Sequence, residues 1–429
     1  MNRSSSERKR IIAGSVGNVL EWFDFASYGF FAAVIGEQFF PSDDPTISII
    51  AAFAVFASGF LARPLGAMFF GHLGDKRGRA VVLQASVILM GVSTLLIGCL
   101  PNYATIGIAA PILLTVLRVA QGFSVGGEYM GSIIYLVERA PAKKRGFVGS
   151  WVNVGATLGF LLGSGLGALI SGIVSEEALA SWGWRVPFLL GVGIALFAAV
   201  FRRHMTEEPG LASASEEKIP LIAAVRLEWR TMLRIAGLVL MANIGFYMMF
   251  VYVTTYLAEQ VGVSMARALE IDTVAMGTLV IIVPITAWLS DRIGRKPVLL
   301  VSSIGCAVLS LPLFMVIHHD DTLLIFLGQL AFAILLGGAF GANSAAIVEL
   351  TKVRYRCTVI SVAYNVSVAI FGGTTPLVAA WLIRNTGQDL VPALYLTLGA
   401  IITAITVLTM PETYRRDITP TKTEPESLS

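Results

Sequence analysis

Twelve stretches of this chain are long and apolar enough to cross a lipid bilayer, and no other feature limits its fold as strongly. A spanning helix needs about 20 mostly apolar residues, because hydrocarbon offers no partner to an exposed backbone N–H or C=O. The stretches lie at about 11–36, 47–73, 80–100, 106–138, 146–174, 184–204, 231–258, 266–290, 297–318, 322–350, 356–385 and 390–411. The longer ones must tilt or protrude. Composition agrees: 55% of residues are hydrophobic and 14% charged, against about 25% charged in an average soluble domain. That composition argues against a cytosolic enzyme and a disordered chain, and a net charge of only +3 suggests no nucleic-acid partner. The basic segment Met1 to Arg10 leads into an apolar run too long for a signal-peptide core, so the first span is expected to be retained.

Lys and Arg gather on one side of this layout. The N-terminal segment, the loops after spans 2, 4, 6, 8 and 10, and the tail hold 26 of the 31 Lys and Arg residues; Arg185, Arg267 and Arg384 lie on the other side. Both termini are therefore expected in the cytoplasm. The longest polar stretch divides the chain. It gives an N-terminal six-helix bundle at 1–204, a cytoplasmic linker at 205–230, a second six-helix bundle at 231–413 and a short polar tail at 414–429. The halves repeat. Gly71-His-Leu-Gly-Asp75-Lys-Arg-Gly78-Arg79 follows span 2, and Ala287-Trp-Leu-Ser-Asp291-Arg-Ile-Gly294-Arg295 follows span 8, 216 residues later; Glu138 with Arg145 and Glu349 with Arg356 repeat 211 residues apart. Two parallel halves around a midplane site form one large transporter architecture.

Charges inside spans are costly and seldom persist without a partner or a wet cavity. Glu21, Asp24, Arg63, Arg118 and Glu128 are such charges. Glu21 and Asp24 share a face of span 1, roughly 15 and 20 Å deep. Proton coupling requires a carboxylate that exchanges its proton near neutral pH, so Glu21, Asp24 and Glu128 are the coupling candidates. The plainer reading of the pair is an ion pair with an Arg that locks the helices. Arg118 lies mid-span, with Gln121 and Glu128 on its face, and its guanidinium suits a carboxylate. Arg63, followed by Pro64, could pair to close the cytoplasmic side; its resemblance to an arginine of the organic-anion carriers implies a second carboxylate candidate. Trp22, Tyr28, Trp151, Tyr247, Tyr252 and Tyr364 sit at matching depth, where aromatic faces attract ammonium groups or simply pack. Asn243 and Asn365 could complete the pocket or bond between helices. Gly159, Gly163 and Gly167 have the spacing of close helix contacts. Cys99, Cys306 and Cys357 form no CxxC pair and are expected as small buried hydrophobes. His72, His204, His318 and His319 form no metal set, and neither metal nor cofactor is expected.

Gly71, Leu73, Asp75, Gly78 and Arg79 resemble the loop 2–3 signature of the major facilitator superfamily; the second copy has Ala287 where glycine is usual. The resemblance implies a cytoplasmic latch drawn from Asp75, Arg79, Glu138, Arg145, Asp291, Arg295, Glu349 and Arg356, in which an aspartate bonds a helix N-terminus or an Arg of the other bundle. Gly17-Asn18-Val-Leu-Glu21-Trp22-Phe23-Asp24-Phe25, Phe60-Leu-Ala-Arg63-Pro64-Leu-Gly66, Arg118-Val-Ala-Gln121-Gly122-Phe-Ser-Val-Gly126-Gly127-Glu128-Tyr129 and Ser181-Trp182-Gly183-Trp184-Arg185-Val-Pro187-Phe188 together resemble the metabolite:proton symporter family. Gly149-Ser-Trp151 and Trp381 point to its proline/betaine carriers. This implies an all-α, twelve-helix transporter of the bacterial inner membrane. It would import a small carboxylate-bearing metabolite with H+ by alternating access; a monomer is the default expectation. An organic-anion symporter is the alternative within transport; a non-transporting nutrient receptor and a drug/proton antiporter are further rivals. The coiled-coil extension of the osmosensing carriers has no counterpart after Arg416, so activation through such a tail is not expected.

Overall fold

The computed structural model describes residues 18–19, 21–77, 79–125, 128–193, 221–416 and 418. Among them every regular element is helical, and nine helices are long and apolar enough to cross a membrane. The other three expected spans, the first, third and sixth, run into residues whose backbone or side chains lie outside the description.

Observed limits follow the hydropathy. Span 2 is Pro45–Arg77, span 5 Arg145–Ile173, span 8 Met265–Ile293, span 9 Arg295–Ile317, span 10 Thr322–Leu350 and span 12 Val391–Thr409. Span 1 is helical over 21–30, breaks at Phe31 and continues as Ala32–Phe39. Span 4 comprises Ala109–Val125 and Glu128–Arg139. Span 7 departs most from expectation. Its helix starts at Leu221, ten residues early, bends at Glu228, and widens into π-turns at Met248–Tyr252 and Leu257–Val261. Span 11 has a third π-turn, Val368–Gly372. Such turns release backbone groups locally and recur at functional sites. Span 2, by contrast, stays helical through Pro64.

Spans 2, 3 and 4 pack together in the first half, and spans 8, 9, 10 and 12 and spans 7, 11 and 12 in the second; the halves meet where span 5 crosses span 8 and span 2 meets span 11. Spans 2 and 4 touch backbone to backbone. A Cβ on Gly122 would lie 1.7 Å from the Gly59 carbonyl oxygen, and one on Gly66 1.8 Å from that of Phe123. No side chain fits there, and the approach brings together the helices that carry Arg63 and Arg118. Gly159 receives the span 1 backbone in the same manner, and Gly163 receives the Ala26 side chain.

The cysteine expectation holds for Cys306, which is buried; Cys99 and Cys357 are exposed on the surface. A membrane helix satisfies an apolar side chain by turning it to lipid, so apolar surroundings in sequence do not require burial in protein.

Candidate functional site

The centre of the molecule is an aromatic enclosure around two buried arginines. Spans 1, 2, 5 and 7 supply Trp22, Phe25, Phe56, Phe60, Phe160 and Tyr247, with rings in contact at 4.9 Å (Phe25–Phe60), 5.1 Å (Phe60–Tyr247) and 5.6 Å (Trp22–Phe160). Tyr129 of span 4 extends it, meeting Trp22 edge-on at 5.7 Å and lying tilted against Tyr364 of span 11 at 5.4 Å. Arg118 is 0% exposed, with its guanidinium 4.4 Å from the Tyr28 ring centre and 4.5 Å from that of Phe25. Arg63 is 1% exposed and lies over Trp22 at 5.0 Å and Phe60 at 5.6 Å. Among the described residues, Arg63 Nε and Nη1, and Arg118 Nε and Nη2, have no hydrogen-bond acceptor. A buried cationic donor left unmet is costly, so these N–H groups are the strongest call in the structure for an anionic ligand.

Arg118 reaches Asp24 through two intermediaries. Its Nη1 donates to Gln121 Oε1 (2.7 Å), Gln121 Nε2 donates to Thr94 Oγ1 (2.8 Å), and Thr94 Oγ1 donates to Asp24 Oδ2 (2.7 Å). Every donor points from the cation toward the carboxylate. Asp24 Oδ1 packs against Gly191, where a Cβ would stand 2.5 Å away.

The other expected site residues divide into groups. Tyr28, Tyr247 and Tyr364 line the enclosure, and Tyr28 Oη donates to the Ala52 carbonyl at 3.0 Å. Glu21 is buried on span 1. Trp151 lies edge-on to Phe147, nearly two turns into span 5. Asn243 Nδ2 donates to Ser367 Oγ at 3.3 Å, joining spans 7 and 11, and Asn365 Nδ2 donates back to the Ser361 carbonyl of its own helix. The side chains of Glu128, Asp75 and Arg79 lie outside the described residues. Sequence reasoning did not select Thr94, Asn153 or Gly191. Asn153 accepts from Tyr129 Oη and donates to Phe340 O and Ser344 Oγ, bridging the halves. A threonine, an asparagine and a glycine inside apolar spans carry no charge to betray them.

The expected latch residues that are described do meet between the halves. Asp291 accepts from the backbone N–H groups of Gly146 (2.9 Å) and Phe147 (2.8 Å), the first turn of span 5, where the helix dipole favours an anion. Arg295 donates to Asp291 (2.7 Å) and to both Glu349 oxygens (3.1 Å). Arg145 approaches Glu349 at 4.0 Å and donates to the Arg416 carbonyl. Arg356 pairs with Glu138 at 2.6 Å. At the opposite end Arg384 of span 11 pairs with Asp44 before span 2 at 3.1 Å.

Residues 11–210 match the Sugar (and other) transporter family, and residues 271–429 match the Major Facilitator Superfamily. The chain is 39% identical over 424 residues to the proline/betaine transporter of Salmonella typhimurium, covering 96% of this chain and 85% of the relative. It is also 39% identical to the glycine betaine/proline/ectoine/pipecolic acid transporter of Dickeya dadantii, over 96% and 84% of the two chains. Among solved structures, the proton:xylose symporter XylE bound to 6-bromo-6-deoxy-D-glucose superposes with a TM-score of 0.75 at 15% identity, over 97% of this chain and 98% of that one. That likeness concerns the fold alone. The chain belongs to the major facilitator superfamily and, within it, to the family of the proline/betaine transporters.

Proposed function

We propose that the protein is a multi-pass transporter of the bacterial inner membrane that imports a small zwitterion of the proline/betaine type together with H+. The observation that carries this reading is the pair of buried arginines with unmet N–H groups inside an aromatic enclosure. A substrate carboxylate would take the donors of Arg118 and Arg63 in charge-assisted hydrogen bonds. Its ammonium would lie against the aromatic faces, each such contact contributing about 0.5–2 kcal/mol. The names of the relatives support the same substrate class.

Asp24 is the proposed proton carrier, and Thr94 registers its state. The single Thr94 hydrogen has two acceptors in reach, Asp24 Oδ2 at 2.7 Å and the Met90 carbonyl at 2.9 Å. When Asp24 is ionised, Thr94 donates to it. When Asp24 is protonated, its O–H donates to Thr94 Oγ1, and the Thr94 hydrogen turns to Met90. Gln121 and Arg118 thereby sense the proton, which ties it to the substrate carboxylate. The latch end is taken to face the cytoplasm, and a monomer suffices for the cycle.

The test is thermal stabilisation of the purified protein by proline, glycine betaine, citrate, α-ketoglutarate and shikimate at pH 5.5 and 7.5, followed by uptake into proteoliposomes with and without a pH gradient. A ligand that binds only the folded state raises the melting temperature. Stabilisation by proline and glycine betaine, with uptake driven by an inward proton gradient, is expected. Uptake indifferent to the gradient would overturn the coupling. Stabilisation by di- or tricarboxylates alone would favour an organic-anion symporter, for which the same two arginines would both be required.

A further inference from the structure

A second buried carboxylate lies outside the central site. Asp272 of span 8 is 0% exposed, and neither of its oxygens has a hydrogen bond of good geometry. The Ser164 hydroxyl of span 5 and the Gln329 side chain of span 10 flank it. Gln329 donates its Nε2 to the Met249 carbonyl, which leaves Oε1 without a partner. Ser164 Oγ lies 2.8 Å from Thr273 Oγ1, and Thr273 Oγ1 donates to the Leu269 carbonyl at 2.6 Å. At about 1.5 Å per residue, Asp272, Gln329 and Ser164 all stand roughly 10–14 Å from the helix ends opposite the latch.

No cation among the described residues answers this carboxylate. On its own helix Arg267 and Glu270 pair with each other at 2.6 Å on the surface. Span 5 carries Arg145, and span 10 carries Glu349, both at the latch end about 28–30 Å away. Span 7 contributes Glu259 near its tip, and Asp321 caps span 10. These add negative charge. An isolated carboxylate anion is prohibitively costly in such a place. A cleft of about 790 Å³, lined by Gly165, Arg267, Glu270, Ile271, Thr273 and Phe326, opens beside the cluster and runs past the neighbours of Asp272 and Ser164.

We propose that Asp272, Gln329 Oε1 and the hydroxyls of Ser164 and Thr273 form a second monovalent-cation site, taking H+ or Na+ through this cleft. Every ligand is oxygen, the chemistry such ions require. The ligands come from both halves, so an occupied site holds spans 5, 8 and 10 together at the end opposite the latch. The site deepens the transport reading by adding a second ion.

The test needs no transport, so its failure is separable from that of the uptake reading. Thermal unfolding of the full chain in detergent is followed in NaCl against N-methylglucamine chloride at matched ionic strength, and from pH 8.5 to 5.5 without Na+. Wild type is expected to be stabilised by at least one of the two ions. Asp272→Asn is expected to lose that response, while Glu176→Gln, at an exposed carboxylate, retains it. Loss of the Na+ response assigns Na+; loss of the acid response assigns the proton. Ser164→Ala, which removes one ligand, is expected to raise the half-saturating ion concentration at least fivefold, and it serves if Asp272→Asn does not fold. Unchanged ion responses in Asp272→Asn, or an unchanged half-saturation in Ser164→Ala, would overturn the site.

Discussion

Thr94 has one hydrogen to give and stands between a carboxylate and a carbonyl, with Gln121 donating to it from the other side. Removing that hydroxyl breaks the path from Arg118 to Asp24 at its middle and leaves buried Gln121 Nε2 without its acceptor, a penalty of about 1–3 kcal/mol. Thr94→Val is therefore expected to lower gradient-driven uptake at least tenfold, whereas Thr94→Ser, which keeps the oxygen and its hydrogen, retains most of it. Equal uptake by the two variants in proteoliposomes would remove Thr94 from the relay. Asp24→Asn differs in kind. Its amide can still fill the space against Gly191 but cannot carry a proton. Substrate exchange between the two sides is expected to persist, while accumulation against a gradient is lost; measuring both in one preparation separates coupling from binding.

At the scale of elements, the latch is a set of ion pairs of unequal worth. Arg295 and Glu349 have side chains with no exposure, and Asp291 has almost none. Breaking a buried pair strands its partner at about 3–5 kcal/mol. The Glu138 side chain is 40% exposed, and such a pair contributes about 1 kcal/mol or less. Arg295→Ala is expected to lower the melting temperature several times more than Glu138→Gln. Arg295→Lys does not restore it, because an ammonium cannot serve Asp291 and both Glu349 oxygens in the fork a guanidinium provides. Similar drops from Arg295→Ala and Glu138→Gln would refute this ranking.

These elements also show what a sequence discloses. The repeat of Asp291 and Arg295 on Asp75 and Arg79, and of Glu349 and Arg356 on Glu138 and Arg145, identifies the latch because charged loops stand out against apolar spans. The spans themselves follow from hydropathy. The route from Arg118 to Asp24 does not, since Thr94 belongs to a different helix and only the packing of spans 1, 3 and 4 brings it there. Asp272 carries a legible signal, a charge inside a span, yet it lies near the span's end, where depth alone gives no reason to select it. The π-turns of spans 7 and 11 have no marker in hydropathy at all.

For the whole molecule, the described residues join the halves at both ends. The latch closes one, and at the other Arg384 pairs with Asp44 while Ser164 meets Thr273 across the halves. The Asp44 pair is not a pH switch in the working range. Burial acts to raise that carboxyl, but the Thr46 N–H and the Arg384 guanidinium outweigh it and hold it below its ordinary value of 3.8. Its contribution is present above that value and is lost only as pH falls through the lower folded value, so between pH 5.5 and 7.5 it is constant. This pair therefore gives opening no pH dependence in that range. The contact of Ser164 with Thr273 has a mechanical consequence as well. If the halves rock, spans 5 and 8 must part at Ser164 and Thr273 in each cycle. In a background lacking Cys99, Cys306 and Cys357, the double variant Ser164→Cys, Thr273→Cys is expected to transport when reduced, to stop when oxidised, and to recover with dithiothreitol. Transport that continues with the cross-link formed would mean that the opening lies elsewhere on this face, and the rocking of span 5 against span 8 would have to be abandoned.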